Sequence, residues 1–73
     1  MSDLKKLSEN FLKAAEELEK AAAHCRIASK RYMAHDVPSG CAHAFAIIGH
    51  ISKANTLVVV NSEIHSDHAQ INE

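Results

Sequence analysis

The sequence predicts an all-α fold, an antiparallel hairpin of two long helices. Alanine is abundant, whereas the 73 residues include only two glycines and one proline, a balance that favours helix over sheet. Apolar and small residues recur at alternating spacings of three and four along both halves of the chain, which indicates one continuous helix face in each half. The turn signal HDVPSG, at 35–40, separates the halves.

The first helix is predicted at about 2–35. Ser2 is a suitable N-cap, and Asp3 in the first turn complements the helix dipole. Lysines and glutamates occupy the far side and indicate a solvated surface. The helix carries a heptad stripe that we expect to face the second helix: Leu4, Leu7, Phe11, Ala14, Leu18, Ala21, Cys25, Ala28 and Tyr32.

The turn is predicted at 36–40, with Asp36 or Ser39 as the cap of a second helix at about 41–69. If the chain folds back so that residue numbers summing to 76 are level, the two stripes match along their length. Asn55 then lies opposite Ala21 and is expected either to set the register, as a buried Asn does in coiled coils, or to cap a polar pocket with Ser52 and the histidines. The stripe of the second helix is Cys41, Ala44, Ile48, Ile51, Asn55, Val58, Ser62, His65 and Ala69.

A second apolar column on helix two would remain uncovered in such a hairpin. A helix that is apolar on two sides needs two neighbours, and a second copy of the chain is the economical one. We therefore expect a homodimeric four-helix bundle, or a dimer of dimers. The residues predicted at the dimer interface are Ile47, His50, Ala54, Leu57 and Ile64.

Six histidines are a high load for so short a chain and raise the hypothesis of Zn, Cu or Ni binding. The candidate ligands form three groups. Those at the turn are His35, Cys41 and His43, those beside the seams are His24 and His50, and an i,i+3 pair comprises His65 and His68. The alternative interpretation is that these side chains are packed or partly solvated, with no metal or other cofactor.

A second chemical hypothesis concerns His50-Ile51-Ser52-Lys53, which looks like a shortened histidine phosphotransfer motif. No serine or cysteine has a histidine and a carboxylate at a spacing typical of nucleophilic catalysis. We therefore expect a non-enzymatic, homo-oligomeric module. Metal binding is the alternative function, and a phosphotransfer relay through His50 is a lesser one.

The net charge and the cysteine content limit the classes of partner and the cellular compartment that the sequence predicts. A net charge of −1 does not favour nucleic acid. The apolar stretches at 44–51 and 57–60 are short and interrupted, so no membrane span is expected. Two cysteines do not form a disulfide framework, and the N-terminus lacks the apolar core of a signal peptide. A reducing cytoplasm is the expected location.

The segment from Ala42 to Ala54, with His43, Gly49 and His50 in place after a short turn, resembles a group of small bacterial proteins. Those chains are rich in alanine and histidine and carry a pattern of the type A-x-x-H-A-x-x-A-x-G-H-x-x-x-A. The resemblance implies a bacterial, cytosolic helical hairpin, and it implies no activity or mechanism.

Overall fold

Two helices packed side by side make up the fold. The computed structural model describes residues 2–68, and the side chains of 3–67 among them. Helix α1 spans Ser2–Met33 and helix α2 spans Val37–His68. The prediction of an all-α hairpin is confirmed. Helix α1 ends two residues before the predicted boundary and α2 begins four residues before it, while the last predicted helical residue, 69, lies outside the described residues.

The turn is tight because both helix ends are capped by the residues between them. The N–H of Asp36 donates to the carbonyl of Arg31, and the N–H of His35 donates to that of Tyr32. This pair of bonds is the Schellman motif, which requires a left-handed residue at the position of His35. His35 has a φ of 59°. The Asp36 carboxylate then accepts a hydrogen bond from the N–H of Ser39 and caps α2.

The capping by Asp36 explains why α2 begins earlier than predicted. With Asp36 as the N-cap, Val37 and Pro38 occupy the first two helical positions, where the missing N–H of proline has no helical partner to lose. Of the two caps left open by the sequence, the structure uses Asp36.

Replacing His35 by glycine is expected to stabilise the hairpin by about 0.5–1 kcal/mol, because glycine adopts the left-handed conformation without the steric cost that a β-carbon imposes. Urea unfolding at a fixed protein concentration measures the change. His35→Ala is the matched control, since alanine keeps the β-carbon and removes the imidazole. If alanine stabilised the hairpin as much as glycine does, the imidazole and not the backbone would be responsible.

The contact between the helices is made of small and polar side chains. The buried apolar residues are Ala14, Ala21, Ala28 and Ala54, and the buried polar ones are Asn10 and Asn61. Near the turn a β-carbon on Gly40 would lie 2.9 Å from the ring of Tyr32, so the ring packs directly on the glycine backbone. Among the described residues no large side chain is fully buried, and this seam therefore removes little apolar surface from water.

The predicted register is wrong. Under it Asn10 would be level with Ser66, whereas its Nδ2 donates to Oδ1 of Asn61 at 2.9 Å. Asn61 Nδ2 in turn donates to the carbonyl of Leu7. Asn55, which was expected to set the register, is exposed. The Asn10–Asn61 pair occupies the place that sequence reasoning assigned to Asn55.

The two apolar faces of α2 are also exchanged relative to the prediction. Ala54 is 3% exposed and packs within the hairpin. The other residues predicted for a dimer interface, Ile47, His50, Leu57 and Ile64, are half-buried and follow the same helix face at spacings of three and four. The stripe predicted to face α1 is instead largely open, with Ile48, Ile51 and Val58 exposed. The physical reason is that α2 is apolar on both faces, so apolar spacing alone does not choose between them.

Helix α2, over Val37–Asp67, is also long and apolar enough to cross a membrane by length and composition, since an 18-residue window within it has a mean hydropathy of 1.2. The expectation of no span rested on two shorter stretches, whereas the complete helix has the length and composition of a span. Helices buried in soluble assemblies have the same composition, so this property does not distinguish a membrane segment from an assembly helix.

Candidate functional site

Three imidazoles from the two helices come together in the half of the hairpin nearer the turn. His24 lies on α1, and its Nδ1 is 2.9 Å from Nδ1 of His43 on α2. The ring of His24 also stacks on that of His50, with a centroid distance of 5.4 Å and an interplanar angle of 16°. We refer to these residues, together with Glu17, as the histidine cluster.

Helix geometry explains the cluster. His43 and His50 are two turns apart on α2, about 10.5 Å along its axis, so they do not meet each other directly. His24 approaches from α1 between their levels and contacts both rings. The sequence placed His24 and His50 beside the seams, and the structure brings their rings into contact within one chain.

Glu17 completes the cluster from α1. Its Oε1 lies 2.9 Å from Nδ1 of His50, and its Oε2 lies 3.2 Å from Nζ of Lys20. The hydrogen bond to His50, followed by that to Lys20, lowers the pKa of the Glu17 carboxyl below its usual value. The side chains of Glu17 and His50 are 15% and 20% exposed. A negative charge is therefore held beside the imidazoles, partly shielded from water.

The ligand set predicted at the turn is not assembled. His35 is exposed, while Cys41 Sγ lies 3.2 Å from Oη of Tyr32, a hydrogen bond that raises the pKa of the tyrosine. His43 contacts His24 instead. Within residues 3–67, no three His, Cys, Asp or Glu side chains are arranged to hold a metal ion. His65 is exposed, and His68 ends α2 with a side chain outside the described residues.

Sequence reasoning missed Glu17, although a signal was present. Along α1 a polar residue occurs at every seventh position, and the last three of these residues lie four positions before the buried alanines of the seam: Asp3, Asn10, Glu17 and His24. Each of these positions is buried or half-buried. A polar column at heptad spacing along the edge of an alanine stripe indicates side chains that need partners across the seam. Asn10, Glu17 and His24 have such partners on α2.

The hairpin also carries an apolar face, on the side away from the histidine cluster. It joins two stripes at heptad spacing, one from each helix, and its members are between 43% and 66% exposed. A groove between the helices, lined by Phe11 and Val58 among others, shows that the stripes share one side. We define the apolar face as Leu4, Phe11, Leu18, Ile48, Ile51 and Val58.

The side opposite the apolar face is polar. The groove between the helices there is lined by Lys13, Glu16, Glu17, Lys53, Thr56 and Leu57. Glu17 thus belongs both to this groove and to the histidine cluster, so the cluster lies towards the polar side. The hairpin therefore carries an uncovered apolar face on one side and clustered titratable groups on the other.

The chain matches no protein-family model, no curated protein and no solved structure. The arguments about function below therefore rest on the geometry and chemistry of these two faces.

Proposed function

We propose that the protein is a small, non-enzymatic, homo-oligomeric helical-hairpin module. In this proposal the apolar face of one chain packs against the same face of a second copy, and the two hairpins form a four-helix bundle. The contact surface differs from the one expected from the sequence, because that column already packs within the chain.

The surface area of the single chain supports this proposal. A folded monomer of 8.0 kDa normally exposes about 4,500 Å², whereas this chain exposes 5620 Å². The surplus is about 1,100 Å², and a stable protein–protein interface buries about 800 Å² on each partner. The excess surface is therefore of the size that one interface with a second copy would remove.

The composition of the seam supports it as well. The buried apolar side chains within one chain are alanines, which contribute little to hydrophobic stability. The apolar face offers Leu, Ile, Phe and Val side chains, and each is worth about 1.5–3 kcal/mol when fully buried. A second copy converts this exposed surface into a core that the single hairpin does not supply.

A lipid bilayer is the competing occupant of the apolar face. Helix α1 contributes half of that face and also carries seven basic and five acidic residues. Its contact with α2 extends along the hairpin, from Asn10–Asn61 to His24–His43. Insertion of α2 would carry those charges into the bilayer or break the hairpin, and each charge at the centre of a bilayer costs about 2.5–3.5 kcal/mol or more. A second copy covers the face without this cost.

Sedimentation equilibrium over a range of concentrations tests the proposal, with the same protein mixed with neutral phosphatidylcholine vesicles in a parallel flotation assay. We expect a mass of about 16 kDa, twice the chain mass of 8.0 kDa, and no flotation with vesicles. A mass of one chain at every concentration contradicts the proposal. Flotation of a helical monomer would assign the apolar face to a membrane instead.

The phosphotransfer hypothesis gains no support from the geometry. A phosphoryl acceptor must present a free ring nitrogen to a partner protein. Nδ1 of His50 is engaged by Glu17, and the side chain that carries the other ring nitrogen is only 20% exposed and is stacked against His24. We therefore do not extend this hypothesis.

A further inference from the structure

We propose that His24 and His43 bind one divalent transition-metal ion through their Nδ1 atoms, with water completing its coordination. The two ligands come from different helices, so the ion would connect α1 to α2. This site is independent of the proposed self-association, since it lies towards the polar side of the hairpin.

The distance between the two nitrogens suits this role. Two imidazole nitrogens bound to one tetrahedral Zn²⁺, each about 2.0–2.1 Å from the metal, lie about 3.3 Å apart. Nδ1 of His24 and Nδ1 of His43 are 2.9 Å apart. A separation larger by a few tenths of an ångström converts the hydrogen-bonded pair into a chelating pair, which small side-chain rotations on two packed helices can supply.

Proton balance follows from the same contact. In the hydrogen bond one Nδ1 carries a proton and the other accepts it, both rings being neutral. A metal ion takes the place of that shared proton and uses both lone pairs, while each ring keeps or gains a proton on Nε2. In the starting pair of neutral rings, the accepting ring already carries its proton on Nε2. The proton displaced from Nδ1 of the donating ring moves to Nε2 of that same ring. From two neutral rings, binding therefore releases no proton from the pair.

The neighbouring residues leave the two ligand nitrogens free. The Glu17 carboxylate, which is also paired with Lys20, contacts His50, whose ring stacks on His24. Because Nδ1 of His50 is already engaged, we assign His50 a positioning role that holds the ring of His24 in place. Because no three-residue ligand group is present within 3–67, water must supply the remaining ligands. Imidazole ligands suit Cu²⁺, Ni²⁺ and Zn²⁺.

The test is titration of the metal-free protein with ZnCl₂ and with CuSO₄ by calorimetry, with thermal unfolding as a second measurement. We expect one ion per chain and a higher unfolding temperature with metal, since the ion binds only when the helices are paired. His24→Gln and His43→Gln each retain a hydrogen-bonding side chain and should weaken binding more than about tenfold. His65→Gln, an exposed histidine bordering the other groove, is the matched control and should bind as the parent does.

Several results would overturn the assignment. These are equal affinity in the parent and both ligand variants, loss of binding in His65→Gln, or a loss in His50→Gln as large as that in His24→Gln. Circular dichroism of each variant verifies that it is helical, and the two ligand variants provide separate tests should one fail to fold. Sedimentation in EDTA measures self-association in the same samples, so failure of the metal site and failure of the proposed dimer are distinguishable.

Discussion

A protein carrying Leu18→Glu together with Val58→Glu is expected to be monomeric at concentrations at which the proposed dimer of the parent forms. Both side chains belong to the apolar face, one from each helix. In a symmetric dimer the double substitution places four carboxylates in the interface and removes four apolar side chains. At about 1.5–3 kcal/mol for each lost side chain, the dissociation constant should rise by more than about a thousandfold.

A control must show that loss of the dimer depends on where the charge is placed and not on the added charge alone. Leu12→Glu is the matched control, because Leu12 is 65% exposed and lies about 160° around α1 from Ala14, away from both grooves. It adds the same charge at another exposed leucine, so we expect the dimer to persist. Sedimentation equilibrium at matched protein concentration compares the variants. A dimer in the double variant, or a monomer in Leu12→Glu, would show that the apolar face is not the contact surface.

The helical content of the double variant provides a second measurement. A single hairpin buries chiefly alanines and one asparagine pair between its helices, so we expect it to lose helicity and to unfold at a lower temperature than the parent. Because dimer stability depends on protein concentration, both proteins must be compared at the same concentration. Retention of full helicity as a monomer would indicate that the hairpin needs no partner to fold.

The hairpin itself could be predicted from the sequence because one turn signal separates two long helical patterns. The faces of the helices could not, since α2 is apolar on two sides and both choices satisfy the same spacing. In α1 the buried positions Ala14 and Ala21 were identified correctly. The residues expected beside them in the seam were Phe11 and Leu18, whereas Asn10 and Glu17 lie there in the structure. A preference for apolar neighbours led to that choice.

The histidine cluster could be predicted only in part, because apolar spacing did not fix how the helices face each other. His24, His43 and His50 were recognised as candidates, yet their grouping depends on a register that the sequence did not reveal. With the predicted level pairing, His24 would lie beside Ser52, and neither His43 nor His50 would be level with it. The polar contacts Asn10–Asn61 and Glu17–His50 identify the register that apolar spacing leaves open.

Removal of the Asn10–Asn61 pair is expected to lower the free energy of unfolding and to allow α2 to turn either of its apolar faces towards α1. Asn61→Ala leaves the buried amide of Asn10 without its partner and also removes the bond to the carbonyl of Leu7. An unsatisfied buried polar group costs about 1–3 kcal/mol, so a loss of about 2 kcal/mol is expected in urea unfolding. Asn55→Ala changes the same residue type at an exposed position and should alter stability by less than about 0.5 kcal/mol.

A double-mutant cycle separates the bond from the side chains. Asn10→Ala combined with Asn61→Ala should cost less than the sum of the single changes, with a coupling of about 1 kcal/mol, because neither partner is then left unpaired. In that variant alanine occupies both positions, and α2 can turn either apolar face towards α1 at similar free energy. We expect doubled amide resonances in its ¹⁵N-correlated NMR spectrum and a single set in the parent. A single set in the double variant would mean that another contact, with Glu17–His50 the nearest candidate, selects the face.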